Sequence, residues 1–340
     1  MPPGRIPPVS NNPEKIQLER LSHVLFSHPD LEKFNTFAVD FGFEIVEKTD
    51  SAICYRGWGQ DTIAYVALLG DANDEGFKGA TFIAKTEADF TKSAALPGAC
   101  LISDHKRPGG GKIVTIPSPS GADIHVLWGQ QDRPKPEAPV SQIEVSKGGY
   151  NTTLKKERKG EFQRFKLGPA MIHKLGHYGY MTKKFDEDID FYTSNFNFVP
   201  SDILYEQIDG QEIDTLTFMH LDHGSLYTDH HTLFLNRVPA TYPVDYRVHH
   251  TSFEVEDFDT QLLGHEYLLS KGHKLVWGVG RHILGSQIFD YWQDPSGYSI
   301  EHYADGDVVN EDNPTGRFES EGAASMYIWG PIRPATGVAQ

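Results

Sequence analysis

Two histidines and a glutamate in the second half of this 340-residue chain stand where they could grip one metal ion. His177 opens an alternating stretch, LGHYGYM, and His250 opens another, VHHTSFEV. Glu301 lies near the end of a third, FDYWQDPSGYSIEHY. Two imidazoles and one carboxylate are the ligand set of an open, non-haem Fe(II) site, which keeps positions free for dioxygen and a substrate. The three residues are far apart in the chain, so no local motif of the HExxH kind carries the idea. Equivalence of position carries it instead. Side chains alternate between faces along a strand, so His249 and His250 are expected to point opposite ways. Aligning LGHYGY with VHHTSF sets His250, not His249, opposite His177. Taken singly, each of these histidines reads as readily as a core or surface residue.

The elements that would position them recur, and internal repeats are sought first. Four segments share one plan of a strand, an amphipathic helix, then strands with turns. The first opens at LSHVLFSHPDLEK, with a helix over Leu31 to Phe41 that sets Phe34, Phe37, Ala38 and Phe41 on one face. The second opens at GATFIAKTEADFTKSAA. The third opens at LGHYGYMTKKFDED, with a helix near Phe185 to Asn195 presenting Phe185, Ile189, Tyr192 and Phe196. The fourth opens at VHHTSFEVEDFDTQ. The closing hairpins SPSGADIH and DPSGYSIE align around a Pro-Ser-Gly turn, so Asp294 reads as turn chemistry. The fold class expected is α+β, with two domains, each of two βαβββ modules whose curved sheets enclose a barrel-like cavity. Residues 1–17 are expected as a flexible, proline-rich arm, 18–130 as the first domain and 131–170 as a solvated linker around KKERKGEFQR, with a basic binding patch as the lesser alternative. Residues 171–308 form the second domain, and 309–340 a tail wrapped on the surface.

Composition narrows the function. A net charge of −16 argues against a nucleic-acid partner, which needs a basic face. No apolar run approaches the ~20 residues of a membrane span. The first residues lack the apolar core of a secretory signal. Two cysteines, Cys54 and Cys100, read as free thiols in a reducing compartment, which points to the cytoplasm. Of the 16 histidines, 12 fall between His173 and His302, so chemistry is expected in the second half.

The pieces LGHYGY, DHHTLFL, VHHTSFEVED and GVGRHILGSQIFDYWQDPSGYSIEHYAD resemble the catalytic domain of type I extradiol ring-cleaving dioxygenases of the vicinal oxygen chelate superfamily. With the repeats, the resemblance spans about residues 18 to 308, and Gly280 to Glu301 is its most specific part. It implies that His177, His250 and Glu301 bind Fe(II), less often Mn(II). It implies that His231 acts as acid and base, and that His282 and Tyr291 hydrogen-bond a bound diolate. The partners implied are a small aromatic diol and O2, and the family often forms homo-oligomers. One departure is Asp290, where the family usually carries an apolar residue, with packing behind Tyr291 in question.

The remaining histidines are expected to do less. His230 reads as structural; His173, His265 and His273 read as exposed; His220 or His223 is a lesser candidate for touching substrate. Tyr178, Tyr246 and Trp277 are candidate pocket aromatics that serve equally well as core. In the first domain His23 and His125 align with His177 and Glu301, but Gly79 stands opposite His250, so a second metal site is not expected. The readings held beside ring cleavage are a glyoxalase-like isomerase or epimerase of the same superfamily, and a non-catalytic ligand-binding member.

Overall fold

The computed structural model describes residues 4–71, 76–134 and 149–332; parts of the expected linker and tail, 135–148 and 333–340, lie outside them. Helix α1 covers Leu31–Phe41. Asp30 caps its first turn by accepting from the Lys33 amide, and Gly42 ends it at φ 107°, a left-handed conformation that glycine adopts without strain. Phe34, Phe37, Ala38 and Phe41 are all buried, as the helical spacing requires. Helix α2 covers Glu87–Ala94, α3 covers Phe185–Asn195 and α4 covers Phe258–Ser270.

Two mixed sheets follow one plan. The eight-stranded sheet runs in the order Glu44–Lys48, Ala52–Arg56, Tyr65–Leu69, Leu18–His28, Phe77–Ala84, Asp123–Trp128, Lys112–Pro117, Ser103–Asp104. The ten-stranded sheet repeats that order with Phe198–Ile208, Gln211–Leu221, Leu233–Arg237, Ile172–Thr182, Tyr246–Val255, Ser299–Ala304, Ile288–Gln293 and Lys274–His282, and adds a short strand at each edge. Register carries the duplication down to single residues. His177 faces Ser252, which faces Glu301; His23 faces Thr81, which faces His125. His250 therefore corresponds to Gly79. A Cβ at Gly79 would lie 2.4 Å from His125 Nε2, so the His125 ring fills the space that a third ligand would need.

The halves share one apolar core that runs from Leu18 and Phe41 to Phe253 and Ile300. The His302 ring stacks on Phe41 at 3.7 Å, and its Nε2 lies 2.7 Å from the Phe41 carbonyl. The first half thus braces the residue beside Glu301. Phe34 sits at the centre of the aromatic layer, stacked on His28 at 3.8 Å and on Tyr65 at 5.0 Å. Phe34→Ala should lower unfolding stability by about 3–5 kcal/mol, read from urea denaturation at unchanged m-value.

Both ends of the chain differ from expectation. The arm is tied down from Gly4 onward: the Ile6 amide donates to Asp214 Oδ2 at 2.7 Å, and Ile6 and Ile16 are buried. The buried Asp214 also accepts from Arg317 Nη2 at 2.8 Å, so one carboxylate holds both the Ile6 and the Arg317 segments. The tail does more than wrap the surface. Gly316–Glu319 and Tyr327–Trp329 are the two added edge strands, pairing with Phe198–Ile208 and Lys274–His282. The KKERKGEFQR stretch is largely exposed.

Candidate metal centre and its cavity

Three adjacent strands of the ten-stranded sheet supply His177, His250 and Glu301. Two glycines flank His177 because neighbouring rings press on the backbone there. A Cβ on Gly176 would meet the Tyr303 hydroxyl at 2.1 Å, and one on Gly179 would meet the Phe234 ring at 2.2 Å. His250 sits at a register shift between Val248 and His250. Such a bulge re-aims side chains. It overturns strict alternation here, because His249 and His250 both line the cavity, with their Nδ1 atoms 2.7 Å apart.

The ligand atoms converge. His177 Nε2 and His250 Nε2 are 3.1 Å apart, and they lie 3.3 and 3.2 Å from Glu301 Oε2. All three residues are buried. Neither Glu301 oxygen has an aligned hydrogen-bond donor. Lone pairs therefore point at one another in a dry place, which is costly unless a cation sits among them. A divalent ion bonded at about 2.1 Å to three mutually cis ligands needs them about 3.0 Å apart. The residues fit such an ion. Burial pushes the Glu301 carboxyl up, but wherever the facing His177, His250 or His282 ring carries a proton toward it that attraction outweighs burial and holds the group well below the usual carboxylate range. Burial lowers the His250 imidazole to about 4, against the pull of Glu301. Both groups are thus kept in the unprotonated form that a metal requires.

The cavity over this triad holds about 720 Å³ including its mouth. His231, His282 and Tyr291 line it together with His177 and His250. The His231 ring packs on His177 at 4.1 Å, and burial, with His177 and His230 adding to it, holds its imidazole well below the ordinary value. His282 Nδ1 lies 2.7 Å from the Met326 carbonyl and its Nε2 lies 3.0 Å from the Tyr291 hydroxyl. The first contact fixes the tautomer, with the proton on Nδ1. Trp277 stacks on Tyr291 at 5.6 Å, nearly parallel. The remaining wall is apolar, from Leu216, Phe218, Phe234, Leu284 and Met326, with Asn236, Gln287 and Ser325 as polar points.

Several side residues stand elsewhere than expected. Asp290 faces away from the cavity toward α4, where His265 Nδ1 and Trp292 Nε1 approach it at 2.9 and 2.8 Å. His265 is therefore a buried partner of a carboxylate; the two departures answer each other. His273 pairs with Asp40 at 2.9 Å and His173 with Glu254 at 2.6 Å, so neither is a free surface group. His220 bonds Ser201, His223 bonds the Glu19 carbonyl, and neither lines the cavity. Trp277 lines it, whereas Tyr178 packs on Phe77 and Phe82 and Tyr246 on Tyr180. His249, Phe234 and Met326 were missed. The doubled histidine of VHHTSF was a signal for the first; nothing local marks the others.

Residues 174–302 match the model of the Glyoxalase/Bleomycin resistance protein/Dioxygenase superfamily. Metapyrocatechase 2 of Cupriavidus necator is 26% identical over 317 residues, 92% of this chain and 89% of that protein. Among solved structures, the Mn(II)-bound glyoxalase of Novosphingobium aromaticivorans shares the fold at TM-score 0.74 and 18% identity, over 95% of this chain and 94% of that one. The 3,4-dihydroxyphenylacetate complex of homoprotocatechuate 2,3-dioxygenase from Brevibacterium fuscum does so at TM-score 0.71 and 17% identity, over 98% and 93%.

Proposed function

We propose that the chain is an extradiol dioxygenase that opens the aromatic ring of a catechol with O2 at a ferrous centre held by His177, His250 and Glu301. The observation that carries this reading is the joint presence of the triad, His231, His282 and Tyr291 around one cavity. A glyoxalase-like isomerase uses the same scaffold, but an acid–base histidine and a His–Tyr pair beside an open metal site suit a diol and oxygen. Fe(II) is favoured over Mn(II) on the two-histidine, one-carboxylate ligand set. When bound, the ion supplies Lewis acidity toward the diol and open positions that keep diol and oxygen side by side. His231 takes a proton from the substrate hydroxyl and returns it during ring opening. The Tyr291 hydroxyl, supported by His282, holds the diol oxygen by a hydrogen bond that the dry wall strengthens. Free cysteines, Cys54 buried and Cys100 exposed, suit a cytoplasmic setting, and a homo-oligomer is in keeping with the family.

The test is oxygen uptake with 4-methylcatechol by protein loaded anaerobically with Fe(II), followed by the yellow ring-opened product. Uptake matched one to one by product is expected; its absence across simple catechols overturns the reading. The cavity also limits the ring substituent. Among the described residues that line it there is no lysine or arginine. A carboxylate on the substrate would be buried without a cationic side chain to pair with, at a cost of about 1–3 kcal/mol. Neutral alkyl- or arylcatechols should therefore exceed 3,4-dihydroxyphenylacetate in kcat/KM by roughly 10–100-fold.

A further inference from the structure

His231 does not stand alone. Its Nδ1 lies 3.1 Å from His230 Nδ1, and His230 Nε2 lies 2.8 Å from Asp202 Oδ2. Asp202 belongs to the strand Phe198–Ile208, which forms no part of the metal centre. The backbone fixes His230 independently: its carbonyl accepts from the Ser201 hydroxyl at 2.5 Å, and its amide donates to the Asp307 carbonyl at 2.9 Å. Gly285 leaves the room, since a Cβ there would lie 2.9 Å from His230 Nδ1. Residues 230 and 231 thus form an ordered chain from a carboxylate to the cavity wall.

Direction follows from donor and acceptor types. A carboxylate only accepts, so His230 Nε2–H donates to Asp202. A neutral imidazole carries one N–H, so His230 Nδ1 is left with its lone pair and must receive the His231 Nδ1–H. His231 then presents a bare Nε2 to the cavity. The other histidine pair runs the same way, from the second residue to the first. His250 points its Nε2 lone pair at the triad, so its Nδ1–H donates to His249 Nδ1, and the His249 proton lies on Nε2. The two doubled histidines thus leave Nε2 bare on His231 and protonated on His249.

We propose that Asp202 and His230 are positioning residues that lock His231 in the tautomer with an unprotonated Nε2 facing the substrate. They touch no substrate themselves. The kinetic arm of the test rests on the ring-cleaving reading; the spectroscopic arm does not.

Nitrogen-15 NMR of histidine-labelled protein loaded with diamagnetic Zn(II) should place the His231 proton on Nδ1. In Asp202→Asn the side-chain amide can donate to His230 Nε2, so His230 turns its N–H toward His231 and the His231 proton should move to Nε2. The Fe(II)-loaded variant should lose about 100-fold in kcat, with metal content and catechol KM unchanged. Asp202→Glu should recover most of that loss, and His230→Gln should repeat the Asp202→Asn pattern if the latter folds poorly. Three results would overturn the idea: a wild-type His231 protonated on Nε2, an Asp202→Asn variant at wild-type kcat, or activity lost only in step with metal. A wild-type protein inert toward every catechol would sink the dioxygenase reading, yet the NMR result would still decide the tautomer.

Discussion

Glu301→Gln protein should purify with the fold intact, without bound iron and without ring-cleaving activity. The expectation follows from where the carboxylate sits. Glu301 is inaccessible to solvent, and the atoms nearest its Oε2 are two imidazole nitrogens. Replacing an outer partner of a metal ligand typically weakens metal affinity by about 10–100-fold, so removing the sole anionic ligand should exceed that range. An amide also brings hydrogens into a space where lone pairs converge. Without metal, the substitution should cost no stability, because an ionised carboxylate buried without a cation is itself unfavourable. The two predictions separate in one experiment. Added Fe(II) should raise the melting temperature of the wild type, by the equivalent of about 2.7 kcal/mol at a hundredfold excess over the dissociation constant. It should leave Glu301→Gln unmoved. A Glu301→Gln protein that still retained stoichiometric iron through gel filtration would remove the carboxylate from the ligand set.

What the sequence revealed of this centre, and what it hid, has a physical pattern. Helices α1 and α3 could be bounded from spacing because Phe34, Phe37, Phe41, Phe185, Ile189 and Tyr192 are large, apolar and at helical intervals. The triad could be placed because duplication put His177 and His250 at matching points, a match that the symmetric pairings His177–Ser252 and Gly179–His250 of their two strands explain. Alternation failed at His249, since a bulge leaves no mark that a two-residue period can detect. The partners of His265, His273 and His173 were hidden because each carboxylate, Asp290, Asp40 or Glu254, lies on a different element. The role of the tail was hidden for another reason. Gly316–Glu319 and Tyr327–Trp329 are too short to show a period, and what Met326 gives His282 is a backbone carbonyl, which side-chain identity does not encode.

His231→Asn should keep iron and lose at least about 100-fold in kcat, the usual scale for a general acid–base group. Asparagine retains polarity and fits the space between His177 and Phe218, yet it cannot take up and return a proton. The proposed metal ligands His177, His250 and Glu301 are untouched, so iron content and the KM for 4-methylcatechol should stay near wild type. Loss confined to kcat is the signature of an interaction made in the transition state and not on binding. A second variant separates this role from simple packing: His231→Phe fills the space with an apolar ring, and it should be as slow as His231→Asn despite its better fit. Coupling gives the sharper check. If Asp202 acts through His231 and nowhere else, adding Asp202→Asn to His231→Asn should slow the enzyme no further, whereas independent roles would multiply. A His231→Asn enzyme turning over at the wild-type rate would move the acid–base work to another group, and among the residues lining the cavity His249, with its proton on Nε2, would be the next to test.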